Sequence, residues 1–173
     1  MLLMRLLLVC LLALPITPSD ALQETGSAGQ TGKALEDAIE GILQGKGFTI
    51  VPSKDWSEAR LHTLEQPKFL IKRAPYKSIY GHRARMEFLL IFGDRQVLIE
   101  SKHQKWAGST DEKLPYIYQN ALINLPEREM ILVMGGQGWK KGAVKWIRKK
   151  ADETDGFRVM TLDEFIAWVV ETF

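Results

Sequence analysis

Apolar and polar positions change period several times along the chain of 173 residues, and the changes mark out elements. Ala34, Leu35, Ala38, Ile39, Ile42 and Leu43 recur at helical spacing, which is the stripe of an amphipathic helix. Thr31 stands where an N-cap belongs, and Gly45 and Gly47 close the helix. FTIV at 48–51 is a short strand ended by Pro52. The stretch 53–78 is polar and broken by Pro67 and Pro75, with only Phe69–Ile71 reading as a strand. RMEFLLIF at 85–92 and QVLIESK at 96–102 are strands flanking Gly93-Asp94, a two-residue hairpin turn of the Gly-X kind. Residues 111–125 read as a helix with Pro115 in its first turn, where proline is tolerated. EMILVM at 129–134 is a strand, Gly135-Gly136-Gln137-Gly138 a turn, 141–151 a basic helix and 157–160 a strand. A last helix covers 162–170, with Thr161 and Glu164 at capping-box spacing.

The resulting order is α-β-(β)-β-β-α-β-α-β-α. The unbroken runs FLLIF and MILVM suit strands buried on both faces. These features predict an α/β domain with a mixed β-sheet flanked by helices on both sides. No internal repeat is visible.

Residues 1–16 (MLLMRLLLVCLLALPI) carry one Arg and a leucine-rich run, short of the roughly 20 apolar residues of a membrane span. With Ser19-Asp20-Ala21 offering small residues for cleavage, the run fits a secretory leader; an over-extended gene start would give the same pattern. Residues 23–32 (QETGSAGQTG) are a Gly/Ser/Thr-rich linker. The expected organisation is therefore a hydrophobic leader and flexible linker over 1–30 and one folded domain over 31–173. A cytoplasmic location, bacterial or phage, is favoured, with a secreted or periplasmic one if the leader is real.

Composition adds exclusions. The chain has 23 Lys+Arg against 21 Asp+Glu, a net charge of +2, so total charge says little about partners. Cys10 is the sole cysteine, which excludes a disulfide framework or a cysteine-based zinc site within one chain. His62, His82 and His103 have no metal-ligand spacing, and the turn at 135–138 lacks the Lys-Ser/Thr of a P-loop. One local feature stands out: Lys140, Lys141, Lys145, Arg148, Lys149 and Lys150 form a basic run with Trp139 and Trp146. It is either a phosphate-binding face or a solvated helix face.

The candidate chemistry lies on the hairpin. With Gly93-Asp94 as the loop, Phe92 faces Arg95, and pairing outward sets Glu87 opposite Glu100. Directly opposed Cβ atoms are about 4.5–5.5 Å apart. Alternation puts Glu87, Glu100, Lys102 and, if the strand persists, Gln104 on one face. Like charges apposed in apolar strands are costly. A hard divalent cation removes that cost, and Mg²⁺ is typically held by one or two carboxylates with water and substrate phosphate. Lys102 then places a positive charge beside the metal. A three-residue loop would instead pair Glu87 with Ser101, and the bland alternative is two exposed glutamates paired with Arg85 and Lys102.

This ordered set resembles the PD-(D/E)XK nuclease superfamily, the fold of many type II restriction endonucleases. Glu87 takes the first acidic position, Glu100-Ser101-Lys102 the (D/E)-X-K, and Gln104 the Gln that often follows. The family's first acid is most often Asp, commonly after Pro; here Glu follows Met86. Glu36 matches an acid that the family often supplies from its N-terminal helix. Residues 108–116 (GSTDEKLPY) look like the GS-x-(D/E)-x-K-(I/L)-P segment that follows the motif in some restriction-type members. The resemblance spans Thr31 to about Trp146. It implies a restriction endonuclease-like core and a Mg²⁺-dependent nuclease, with Mn²⁺ able to substitute, acting on DNA, double-stranded in expectation. On this reading Glu87, Glu100 and the Ser101 backbone carbonyl are metal ligands, Glu36 holds a second metal or its water, Lys102 orients the attacking water, and Gln104 positions Lys102 or the nucleophile. Arg83, Arg85, Lys140, Lys141 and Lys145 are candidate DNA contacts. Endonucleolytic cleavage and homodimerisation are compatible with it. The alternative of another class is a catalytically silent DNA-binding module of the same fold.

Overall fold

A computed structural model describes residues 28–56, 68–125 and 128–173. The leader assigned to 1–30 and the gene-start question thus fall almost wholly outside the described residues, as does His62. Ten main elements follow one another: α1 (Ala28–Gly45), β1 (Thr49–Pro52), β2 (Lys68–Lys77), β3 (Arg83–Phe92), β4 (Arg95–His103), α2 (Leu114–Asn124), β5 (Glu129–Gly135), α3 (Lys141–Asp152), β6 (Phe157–Thr161) and α4 (Leu162–Thr172). The six strands form one sheet in sequence order. β2, β3 and β4 are antiparallel; β1 joins β2, and β5 and β6 join β4, in parallel. This is a mixed α/β sheet of the restriction endonuclease-like kind.

Helices cover both faces, as the apolar runs require. Leu35, Ile39 and Leu43 of α1 and Leu162, Phe165 and Val169 of α4 pack with Phe88, Leu90, Val97 and Ile99. On the other face Leu114, Ile117 and Ala121 of α2 and Ile147 of α3 pack with Leu89, Ile91, Leu98 and Met130. Each fully buried large side chain stabilises the fold by about 1.5–3 kcal/mol, so the two layers fix β3 and β4 firmly in the middle of the sheet. The capping box at Thr161 and Glu164 is formed in both directions.

Three element boundaries differ from the sequence expectation. First, α1 begins at Ala28, so Thr31 is not its N-cap. Thr31, Leu35, Ile39 and Leu43 are all buried at i, i+4 spacing, and burial of that stripe carries the helix back through the glycines. Second, α2 begins at Leu114 behind a 3₁₀ turn over Thr110–Lys113. Pro115 near the first position sets that start, because it has no N–H for an earlier carbonyl to accept. Third, β2 is ten residues long and passes through Pro75. The partner β1 stops at Pro52, opposite Lys72, so among the described residues Pro75 lies where β3 is the sole strand partner. A proline is tolerated at such an edge.

Candidate active site

The β3–β4 ladder runs from Phe92 opposite Arg95 to Phe88 opposite Ile99. Gly93 turns the hairpin at φ +57. The register is therefore the one the two-residue turn dictates, and one step further Glu87 would face Glu100. At that step the ladder ends and alternation slips. Leu89 and Met86, three residues apart, both pack in the α2–α3 layer, while Phe88 packs in the opposite one. The neighbouring strand slips in the same place: Ile71 and Ala74 share the α2–α3 layer. Between them Arg73 adopts φ +55, a left-handed backbone that costs a non-glycine residue of order 1–3 kcal/mol. Arg73 is also the one position missing from an otherwise continuous β2–β3 register, and its counterpart there would be Glu87. The backbone strain of the sheet is thus concentrated beside a candidate metal ligand.

The three side chains of the motif meet. Lys102 Nζ lies 2.9 Å from Glu87 Oε1, bonds Glu100 Oε1, and donates to the Ser101 carbonyl at 2.9 Å. The side chains are 20 % (Glu87), 13 % (Glu100) and 21 % (Lys102) exposed. Of the alternative of two exposed glutamates paired with Arg85 and Lys102, the Lys102 pairing is present, but the glutamates are largely buried rather than exposed. Beside the pair lies a cleft of about 150 Å³, bounded by Glu100, Lys102, Tyr76, Lys113 and Tyr116 and floored by Met86, Ile117 and Met130.

The electrostatics follow from burial and proximity. Burial, reinforced by Glu87 beside it, pushes the Glu100 carboxyl well above the ordinary carboxylate range, against the pull of Lys102. Burial acts on Glu87 in the same sense, but the Glu100 carboxyl beside it and the Lys102 ammonium outweigh it and hold Glu87 low. The pair titrates as a unit in which Glu100 keeps its proton longer. Burial disfavours the Lys102 ammonium, yet Glu100 and Glu87 hold it above its ordinary value. Tyr76 is pushed up by burial, then by Tyr116 and Glu100, and stays a phenol.

The remaining candidates fall at different distances from this centre. Glu36, half-buried on α1, is raised by burial and by the charge of Glu87, while Lys102 pulls it down. It belongs to the same electrostatic cluster. Gln104 follows the end of β4 and is turned elsewhere: its Nε2 donates to Asp111 Oδ1 at 3.1 Å and to the Gly138 carbonyl at 2.8 Å. In this arrangement it holds the loop after β4 rather than Lys102. Arg83 and Arg85 are exposed on β3, where Arg83 lines a second cleft with Lys77 and Arg128. In the basic run, Lys140 is within 3.5 Å of Asp111, Arg148 bonds Glu164, and Lys149 and Lys150 pair with Glu153. Lys141 and Lys145 are exposed on one face of α3.

The glycine turn after β5 lies against the chain's own backbone. A Cβ on Gly138 would stand 2.5 Å from the Trp106 carbonyl carbon, and one on Gly135 2.9 Å from His103. These glycines admit the chain's own strand end. His103 is accordingly half-buried, with burial lowering its pKa. Lys113 and Tyr116 were legible only as part of the GSTDEKLPY segment, with nothing local to assign them to the cleft. Tyr76 had no sequence signal, because the strand carrying it was not readable.

A divalent cation fits the residues present. Glu87 Oε2 is buried without a hydrogen-bond partner, and Glu100 is held in a site that resists its negative charge. Hard oxygen donors in such a place suit Mg²⁺. Among the described residues no three His, Cys, Asp or Glu side chains form a ready ligand cage, so water and substrate oxygens would complete the coordination.

The mixed sheet and the Glu–Glu–Lys hairpin define a restriction endonuclease-like domain. The family model for the PD-(D/E)XK nuclease superfamily domain matches residues 27–173, and the chain belongs to that superfamily. No curated protein matches it. Among solved structures it is similar to Pyrococcus furiosus SfsA in complex with Ca²⁺, with a TM-score of 0.39 and 14 % identity over 75 % of this chain. The match covers 55 % of that protein.

Proposed function

We propose that this protein is a Mg²⁺-dependent nuclease that hydrolyses DNA phosphodiester bonds, acting as an endonuclease. The observation that carries the proposal is the convergence of Glu87, Glu100 and Lys102 at the end of the β3–β4 ladder, with one buried Glu87 oxygen unpartnered. Glu87, Glu100 and the Ser101 carbonyl would hold the metal, and Glu36 would hold a second ion or its bound water. Bound there, Mg²⁺ supplies an activated water and polarises the scissile phosphate.

The chain's own groups do the rest. Lys102 remains an ammonium, so it donates to the attacking water or to a phosphate oxygen and stabilises developing charge. Tyr76 offers a phenolic donor on the cleft wall, and Lys113 a cation at its rim. Gln104 acts as a positioning residue, fixing the end of the catalytic strand to Asp111 and Gly138. Arg83, Arg85, Lys141 and Lys145 are exposed cations available to phosphates. The intact acid–acid–lysine set favours catalysis over a silent DNA-binding module.

The test is cleavage of supercoiled plasmid in Mg²⁺ by the full chain and by Glu100→Ala. Nicking or linearisation is expected from the wild type only. Equal activity of the two proteins, or none in Mg²⁺ or Mn²⁺, refutes the assignment.

A further inference from the structure

The turn joining β2 to β3 carries a feature that metal chemistry does not use. Tyr80 is 68 % exposed at its tip and stacks on Tyr116 of α2, with centroids 5.8 Å apart and planes at 26°. The turn is also held in place. Ser78 N donates to the His82 carbonyl at 2.9 Å and Gly81 N to the Ser78 carbonyl at 2.8 Å. The buried Asn120 accepts from Ile79 N at 2.9 Å and donates to the Tyr116 carbonyl at 2.7 Å. Asn124 donates to the Lys77 carbonyl at 3.2 Å. Two asparagines of α2 thus fix an exposed turn and the backbone beneath its stacking partner.

The stack lies between two clefts. Tyr116 is part of the catalytic cleft with Glu100 and Lys102. Gly81, next to Tyr80, is part of a second cleft of about 340 Å³, bounded also by Lys77, Arg83, Arg128 and Asn124. Tyr76 lines both. Among the described residues the second cleft is bounded by three cations and by no acid, whereas the catalytic one carries Glu100 with Lys102 and Lys113. A phosphate chain leaving the catalytic carboxylates would therefore pass Tyr76 into a cationic channel, with aromatic rings alongside.

Exposed aromatic rings suit a strand whose bases are free. In a duplex the base faces are stacked on one another, whereas an unpaired base can lie on an aromatic side chain. We propose that the Ser78–His82 turn with α2 is a subsite for an unpaired DNA strand: a base stacks on the Tyr80–Tyr116 pair, and the adjoining phosphates sit among Lys77, Arg83 and Arg128. Resting on the nuclease reading of the neighbouring site, this has the site cut where a strand is unpaired: a single strand, a flap, a junction arm or a locally melted stretch of supercoiled plasmid.

Fluorescence anisotropy in EDTA, with labelled oligo-dT and a labelled blunt duplex, tests the subsite without catalysis. The wild type should bind oligo-dT more tightly. Tyr80→Ala should weaken oligo-dT by roughly 5- to 150-fold, the range of one base–aromatic stack, and leave the duplex within about 2-fold. Tyr80→Phe should restore binding, and Lys77→Ala/Arg83→Ala should flatten the salt dependence by about 0.7 in log–log slope for each phosphate no longer neutralised. Preference for the duplex, or a Tyr80→Ala effect that is absent or equal on both probes, overturns the proposal. The two readings fail separately. Glu100-dependent plasmid cleavage with no Tyr80 effect removes the subsite alone; Tyr80-dependent oligo-dT binding without cleavage removes the nuclease reading alone.

Discussion

Lys102 is the only cation bonded to both glutamates of the hairpin among the described residues, so Lys102→Met is the sharpest perturbation of the site. The substitution keeps much of the volume and removes the charge. In wild type the ammonium bonds Glu87 and Glu100, and about a fifth or less of each side chain is accessible. Exposed ion pairs contribute about 0–1 kcal/mol, and breaking a fully buried pair costs about 3–5 kcal/mol. Partial access places the loss between them, at about 2–3 kcal/mol. A chain of this length shifts in Tm by about 3 °C per kcal/mol, so melting in EDTA should fall by roughly 6–9 °C. Mg²⁺ can occupy the place left between the carboxylates, so its stabilisation of Lys102→Met should exceed that of wild type. Glu100→Gln should behave oppositely in EDTA: it removes the glutamate whose ionisation the fold resists and leaves Glu87 paired with Lys102, so it should melt no lower than wild type. Differential scanning fluorimetry of the three proteins, with and without Mg²⁺, reads all of this. A Lys102→Met protein that melts with wild type in EDTA would refute the reasoning, as would one that Mg²⁺ does not stabilise.

Two other outcomes are expected. Glu100 is raised above its ordinary value of 4.5, so its contribution to stability is complete below that pH and is lost as pH rises through its folded value; Glu87, held low, is already ionised in that window. Metal-free protein should therefore lose Tm as pH rises above the carboxylate range, and the Mg²⁺-induced shift should be larger at pH 8 than at pH 5.5 because the cation replaces a proton; a pH-independent shift would contradict the buried-pair account. Gly138→Ala forces a methyl against the Trp106 backbone at 2.5 Å and should destabilise by about 1–3 kcal/mol in chemical denaturation, whereas Gly142→Ala, with open space around its Cα, should not.

The sequence by itself determined the elements whose pattern is local. Runs such as FLLIF and MILVM specify strands covered on both faces, the Thr161–Glu164 spacing specifies a helix start, and Gly93 specifies a tight turn. Because a turn of known length fixes register, the same local pattern also brings Glu87 level with Glu100. The boundaries that differ from expectation depend on distant partners. Thr31 reads as a cap until the sheet that buries it is known, and Pro75 reads as a break until β1 is seen to stop short of it.

Only the tertiary structure decided how the site is completed. Strict alternation puts Gln104 with Glu100 and Lys102, but β4 ends at His103, and Asp111 and Gly138 take the Gln104 amide. Side-chain direction beyond a strand end is set by long-range hydrogen bonds, which carry no local pattern. The same holds for Tyr76 on β2, Tyr80 in the turn after it, Lys113 just before α2 and Tyr116 within it. Their juxtaposition depends on α2 crossing the sheet beside the hairpin. Local periodicity specifies which face a residue takes; the packing of one layer on another decides what that face meets.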